Sequence, residues 1–272
     1  MSMESAFLPI FLPIDDPADP RIEAYLDIRE RDLKGRGGRF VIEGEVVLQA
    51  ALKLGRFAIE SILIGENRVE PLAGLLAAVP VSIPVYVASR PVLDRIAGFP
   101  MHRGILAIGL RGEPMSADGL LAGMPDNALV VGLSAIANHD NMGGIFRNCA
   151  AFGIDGLLID SASCDPLYRK AIRVSAGAAL ITPFAQGGDI APLCDSLLAY
   201  GFEILATSPA GHEQLRDIEP RGRQAVLFGA EGPGLPASLL SRLRTLRIDM
   251  RGDFDSLNVA TTSGIVLHHL AR

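Results

Sequence analysis

Hydrophobic positions along this chain follow two rhythms that take turns. Short apolar runs, about four to eight residues long, read as strands, and longer stretches with apolar residues three and four apart read as helices. In the first part, strands are expected at 40–42, 61–64, 83–87 and 105–110. Helical periodicity falls at 43–54, ended by Gly55, and at 72–79 and 92–96. In the second part, strands at 128–133, 156–159, 181–184, 203–206, 225–228 and 246–248 alternate with helices near 143–152, 166–176, 190–200, 236–243 and 258–271. The pattern predicts an α/β protein. A small sheet covered by helices comes first, then a Rossmann-like, doubly wound parallel sheet that meets ligands at the carboxyl ends of its strands.

Turn formers around a short apolar helix at 119–122 separate the two parts. The chain is therefore divided into an extended arm (1–19), a first domain (20–112), a linker (113–127) and a second domain (128–272). The arm is proline-rich and acidic. At its end Asp19 and Pro20 set up a helix start, a cap followed by proline at the first helical position, with Ile22, Tyr25, Leu26 and Ile28 apolar beyond it.

With 272 residues, 49% hydrophobic and 21% charged, the chain is long enough to bury a core and too apolar to be disordered. Cys149, Cys164 and Cys194 are odd in number and lack metal-ligand spacing, so they read as buried thiols in a reducing compartment. The apolar stretch 6–14 is short, broken by Pro9 and Pro13 and preceded by Glu4, so it is neither a secretory signal nor a membrane span. The cytoplasm follows by default.

A net charge of −6 argues against a nucleic-acid partner. Phosphate contact, however, depends on the local field, because screening acts over about 8–10 Å at physiological salt. Arg29, Arg31, Lys34, Arg36 and Arg39 crowd one loop against Glu30 and Asp32. Arg169, Lys170 and Arg173 form a second cluster, and each cluster is either a phosphate surface or simply a solvated helix face.

Three stretches carry candidate chemistry. In 138–153 an apolar strand gives way to Asn138, Asp140 and Asn141, each able to cap a helix. Gly143 and Gly144 open the helix, Ile145, Cys149 and Phe152 form its apolar face, and Arg147 sits one turn in on another face. A glycine-rich helix start with a guanidinium nearby suits an anion. The second stretch, 225–235, is a buried strand followed by three glycines around Glu231 and Pro233. The third, 248–264, runs from a strand end through a loop into the last helix, which Ser256 could cap. No G-x-G-x-x-G follows the first strand of the second domain, and no G-x-x-x-x-G-K-[ST] occurs anywhere. The usual warrant for a dehydrogenase or a P-loop enzyme is therefore missing. His139, His268 and His269 show no metal-ligand spacing, and no metal is expected.

Asn141-x-Gly143-x-x-x-Arg147, Gly229-Ala-Glu231-Gly232-x-Gly234 and Ser256-Leu257-Asn258-Val259 together closely resemble the three motifs of the SpoU/TrmH family. Those are SPOUT-superfamily RNA ribose 2′-O-methyltransferases that use S-adenosylmethionine. The resemblance implies a C-terminal trefoil knot, a homodimer, and ribosomal or transfer RNA as substrate. It also implies catalytic roles for Arg147, Asn141, Glu231, Ser256 and Asn258, with Glu231 orienting Arg147 or the third-motif loop. Thr207, Gly229, Gly232, Gly234, Ile248, Met250 and Leu257 would line the cofactor pocket, and Arg36, Arg39 and Arg147 would meet RNA.

Residues 39–44 with His102-Arg-Gly-Ile105 resemble, more loosely, the family's ribosomal-protein-like substrate-binding domain, whose usual glutamine is Arg103 here. Asp249 stands where the family often has proline, and Ala260 where it often has serine. Two alternatives are a non-catalytic RNA-binding relative that kept the fold and an unrelated Rossmann-like metabolic enzyme. The first has no need of Arg147, Glu231, Ser256 and Asn258 together. The second suits the acidic charge but leaves the three-motif match unexplained.

Overall fold

The structure is a computed structural model that describes residues 9–26, 28, 38–54, 56–98, 104–251 and 256–271. Arg29, Arg31, Lys34, Arg36, Gly55, His102 and Arg103 lie outside the described residues. In chain order the elements are β1 (Phe11–Ile14), β2 (Arg39–Glu43), α1 (Glu45–Leu54), β3 (Ala58–Gly65), α2 (Glu66–Val69), α3 (Ala73–Leu76), β4 (Val85–Ala88), α4 (Arg90–Ala97) and β5 (Ile105–Leu110). There follow α5 (Ala117–Leu121), β6 (Leu129–Leu133), α6 (His139–Ala151), β7 (Gly156–Ile159), α7 (Arg169–Val174), α8 (Ala178–Ile181), β8 (Phe184–Gln186) and α9 (Ile190–Ala199). The last are β9 (Glu203–Thr207), β10 (Glu213–Gln214), β11 (Gln224–Phe228), α10 (Ala237–Leu240), β12 (Arg244–Arg247) and α11 (Val259–Leu270). No helix among the described residues is long and apolar enough to cross a membrane.

The chain divides into two compact units. One comprises Met1–Gly112 with Leu167–Leu180, the other Glu113–Pro166 with Ile181–Arg272. In the first, the described strands form a mixed sheet in the order β1-β4-β3-β5-β2, with β1, β4 and β3 parallel and β5 antiparallel to β3 and β2. Residues 11–14 lie within the expected arm, yet they pair with β4 as an edge strand. Asp19 caps the following 3-10 helix (Pro20–Tyr25), accepting from the Arg21 amide at 2.9 Å. That helix buries Ile22 and Tyr25 among Ile14, Val41, Leu63, Leu93, Leu106 and Ile108. The Tyr25 hydroxyl meets Ser61 Oγ at 2.8 Å, so this buried polar atom is satisfied. On α7, Arg169 and Arg173 both face Glu43, at 3.4 and 3.8 Å, so this basic cluster is partly neutralised within its own unit.

The second unit is built on a sheet whose described strands are all parallel, in the order β10-β12-β9-β11-β6-β7-β8. Val130, Leu158, Ile204, Ala225 and Leu227 pack with Leu120 and Leu121 of α5 and Leu193 and Leu197 of α9. Their neighbours Val131, Leu133, Leu157, Leu205, Val226 and Phe228 are buried as well, and strand alternation puts them on the opposite face. Both faces are therefore covered, as a parallel sheet requires.

Three differences from the sequence pattern have local causes. The strand expected at 181–184 begins at Phe184, because Ala178–Ile181 close a helical turn instead and Pro183 stops it. A short apolar run suits either state, and tertiary packing chose. Residues 117–121, placed in the linker, form a helix capped by Ser116, whose Oγ accepts from the Gly119 amide at 3.0 Å, and its leucines belong to the second core. The two-residue strand β10 carries no hydrophobic signal and forms by pairing with β12.

At the amino ends of β9 and β12, charge holds the sheet edge together. Arg244 donates to Glu213 through Nε and Nη2 (2.5 and 2.6 Å) and to Glu203 through Nη1 (2.9 Å). Arg221 Nη2 donates to the same Glu203 oxygen at 2.8 Å. These partners, Arg221 first, hold the Glu203 carboxyl down at about 2. A carboxylate whose pKa is depressed by folding stabilises above its unfolded value and loses that contribution as pH falls through the folded one. Thermal melts between pH 7 and pH 2.5 should show Glu203→Gln less stable at neutral pH by about 1–2 kcal/mol after solvent screening. The two proteins should converge as pH falls through the window between about 4.5 and 2. A pH-independent difference would assign Glu203 a packing role only.

Candidate active site

The site forms where four neighbouring strands, β12, β9, β11 and β6, deliver their carboxyl ends side by side. After β6 the chain turns sharply. Ala135 sits at φ +55, a left-handed conformation unusual for a residue with a Cβ. The buried carboxylate of Asp160 holds that turn, accepting from Ser134 Oγ (2.9 Å), the Ala135 amide (3.0 Å) and Ser163 Oγ (2.7 Å). Ser163 Oγ in turn accepts from the Ile136 amide at 3.0 Å. Of the three polar candidates, Asn138 caps α6, accepting from the Asp140 amide at 2.8 Å.

Asn141 lies in the first turn of α6 and is buried. Its Nδ2 donates to Glu231 Oε1 at 2.7 Å, and its Oδ1 accepts from Asn258 Nδ2 at 2.8 Å. Asn258 Nδ2 also donates to Glu231 Oε1, at 3.0 Å. One residue from each of the three motifs thus closes a triangle of hydrogen bonds. Asn258 does a second job, because its Oδ1 accepts from the amides of Ala260 and Thr261 (2.9 and 3.2 Å) and so caps α11. The cap is Asn258 and not Ser256, which precedes it on the exposed loop.

Beside the triangle lies a cavity of about 360 Å³, within the usual range for small-molecule sites. Thr207, Gly229, Glu231, Gly232, Gly234, Ile248, Met250, Ser256, Leu257 and Asn258, all singled out from sequence, line it. Asn141 joins them through Glu231 and Asn258. Gly229 has a steric reason to be glycine, since a Cβ there would lie 2.4 Å from the Gly234 carbonyl carbon and block the turn. The Thr207 hydroxyl donates to the Leu227 carbonyl at 2.8 Å and so joins β9 to β11 at the cavity floor.

Arg147 is placed differently. It is exposed on α6 and is not among the cavity-lining residues. Arg39 lies on β2 in the first unit, its guanidinium engaged with Glu60 at 2.6 and 2.9 Å. Among the described residues no cluster of three His, Cys, Asp or Glu side chains is arranged to hold a metal ion. The three cysteines are free thiols, with Cys149 and Cys194 buried.

Two contributors escaped the sequence reading. Asn148, beside Arg147, donates through Nδ2 to the Ala260 carbonyl (2.8 Å) and to Ser263 Oγ (2.9 Å), locking α6 to α11. Asp160 holds the turn before α6. The only sequence hints were polar side chains within or at the end of apolar patterns, which any solvent-facing residue would also give.

Residues 128–268 match the model of the SpoU rRNA methylase family. The chain belongs to that family. Among curated relatives, an uncharacterized tRNA/rRNA methyltransferase of Mycobacterium bovis is 36% identical over 268 residues, covering 94% of this chain and 90% of that one. Two solved structures share the fold across both units. An AdoMet-bound rRNA methyltransferase from Sinorhizobium meliloti has a TM-score of 0.80 at 23% identity, over 96% of this chain and 97% of the other. An RNA 2′-O ribose methyltransferase has a TM-score of 0.75 at 23% identity, over 96% and 98%.

In this SpoU-family protein the triangle should be energetically cooperative. Asn258→Ala loses a helix cap and should cost about 0.5–2 kcal/mol in urea unfolding. Combined with Asn141→Ala, the two losses should miss additivity by about 1 kcal/mol, because both substitutions remove the same shared contact. Strict additivity would mean that the three motifs are merely neighbours.

Proposed function

We propose that this SpoU-family protein is an RNA ribose 2′-O-methyltransferase that binds S-adenosylmethionine in the 207–262 cavity and acts on structured ribosomal or transfer RNA. The carrying observation is the Asn141–Glu231–Asn258 triangle, two of whose members line a cavity of small-molecule size. The glycine turn 229–234 supports the cofactor assignment, since its backbone can approach a ligand without side chains in the way. The AdoMet-bound relative and the 2′-O ribose methyltransferase with the same fold lend further support.

Held by Gly229, Gly234 and Leu257, S-adenosylmethionine would supply an electrophilic methyl for the ribose 2′-oxygen, with S-adenosylhomocysteine as the leaving group and the hydroxyl proton released to solvent. The chain's own part is positioning and charge. Glu231 and Asn258 hold the turn and the helix start on either side of the cavity, which fixes the alignment on which in-line transfer depends. Arg147 meets the ribose and its phosphate. Its planar fork acts there by positioning the acceptor and by stabilising charge. Ser256 contacts the acceptor.

Residues 128–272 form the catalytic SPOUT domain with its C-terminal trefoil knot, and 20–112 grip RNA, with Arg36 and Arg39 contributing. The protein works as a cytoplasmic homodimer. In support, Leu257 and Ile265 remain about 40% exposed at and beside the final helix (40% and 41%), while Val259, Val266 and Leu270 are buried. A large apolar pair left in water on a motif-bearing element suits a subunit contact.

Calorimetry should detect S-adenosylmethionine or its homocysteine product without added metal. Folded protein that binds neither at millimolar ligand would favour the non-catalytic RNA-binding relative. Arg147→Ala should leave that affinity nearly unchanged and lower single-turnover methylation of saturating RNA roughly 10²–10³-fold. Arg147→Lys should restore only part, since a point charge does not reproduce a planar fork. A wild-type rate in Arg147→Ala would reduce the residue to scaffolding. Analytical ultracentrifugation should show a dimer at micromolar concentration that Ile265→Asp weakens, and an active wild-type monomer would remove the dimer from the proposal.

A further inference from the structure

Asp249, two residues past the end of β12, has two arginine partners. Arg247, the last residue of β12, reaches Asp249 through Nε at 3.4 Å, and Arg216 approaches the other Asp249 oxygen at 3.8 Å. The same Arg247 guanidinium donates through Nη1 to two consecutive carbonyls, Gly211 O at 2.6 Å and His212 O at 3.0 Å. Those carbonyls belong to the loop that follows Thr207. Its near end, Ser208 and Pro209, walls the cavity, and Arg247 and Ile248 wall it from the β12 side.

The loop also carries two bonds of its own, from the Gly211 amide to the Ser208 carbonyl at 3.0 Å and from the Ala210 amide to Ser208 Oγ at 3.3 Å, and it is pinned at its ends. The Ser208 amide donates to the Leu246 carbonyl at 3.0 Å, and the His212 amide to Thr245 Oγ1 at 3.0 Å. Between them the chain folds tightly onto β12. A Cβ on Gly211 would lie 2.5 Å from the Leu246 carbonyl carbon, so only glycine allows this approach. Two carbonyls facing one way need a donor, and a planar guanidinium supplies one while its Nε edge stays on Asp249.

We propose that Arg247, braced by Asp249, is a positioning residue for the cofactor: it pre-forms the 208–212 wall of the cavity. After Ile248 the chain is held by an ion pair whose other arm grips the opposite loop. Without the guanidinium the two carbonyls turn to water and the wall is ordered only when ligand arrives, and that ordering cost comes out of affinity. The inference rests on the reading of this cavity as the S-adenosylmethionine site.

The test is calorimetric titration of S-adenosylmethionine into the full-length protein, with steady-state methylation in parallel. Arg247→Met should weaken binding roughly tenfold and raise the cofactor KM in step, the loss falling on KM and not on kcat. Arg247→Lys should recover part of it, because an ammonium can satisfy one carbonyl. Asp249→Asn should weaken binding less, by an amount that shrinks as salt screens the pair. Wild-type affinity in folded Arg247→Met overturns the inference. If that variant does not fold, wild-type affinity in Arg247→Lys overturns it. Failure of the wild-type protein to bind the cofactor at all would instead overturn the functional reading beneath it.

Discussion

One carboxylate oxygen organises the second unit of this protein. Glu231 Oε1 accepts from two asparagine amides, Asn141 and Asn258, which lie 90 and 27 residues away in sequence and which bond each other across 117. Hydrogen bonds to an ionised acceptor are stronger than neutral ones. Each of these also joins a different element: the first turn of α6, the glycine turn after β11, and the start of α11. Asn258 spends its remaining oxygen on the α11 amides, so the geometry of the triangle and the direction of the last helix are one constraint. Asn148 repeats the coupling two turns along α6 by bonding the Ala260 carbonyl and Ser263.

The sheet makes that constraint possible. Parallel strands send all their carboxyl ends to one edge, so loops far apart in sequence arrive together. The opposite edge is used differently. There Glu203, Glu213, Arg221 and Arg244 tie strand ends to each other by charge. This ion-pair cluster sits at one end of the sheet and the cavity at the other, where glycine and polar side chains hold the turns.

Polar side chains hold them in a consistent way. Asp160 satisfies the Ala135 amide of the turn before α6 directly, and holds Ser163, which satisfies the Ile136 amide. Arg247 satisfies the carbonyls of the loop after β9. Each supplies, from a neighbouring strand end, the hydrogen bonds that a loop cannot make for itself. Asp249 fits the same logic, since it belongs to the ion-paired support of a loop.

The sequence by itself determined the alternation of strands and helices and the parallel character of the second sheet. It also pointed to the residues that line the cavity. Periodicity and glycine turns are local properties, and the parallel sheet follows from strands separated by helices. The tertiary structure decided what periodicity carries no trace of. It made Phe11–Ile14 an edge strand, turned Ala178–Ile181 into a helix, and drew the helix at 117–121 into the second core. It chose Asn258 over Ser256 as the cap and left Arg147 outside the cavity lining. Above all it decided the pairings: Asn141 with Glu231 and Asn258, Asp160 with Ala135, Arg247 with Gly211. A hydrogen bond between side chains distant in sequence depends on where two strand ends meet in space, and no local pattern in the chain encodes that distance.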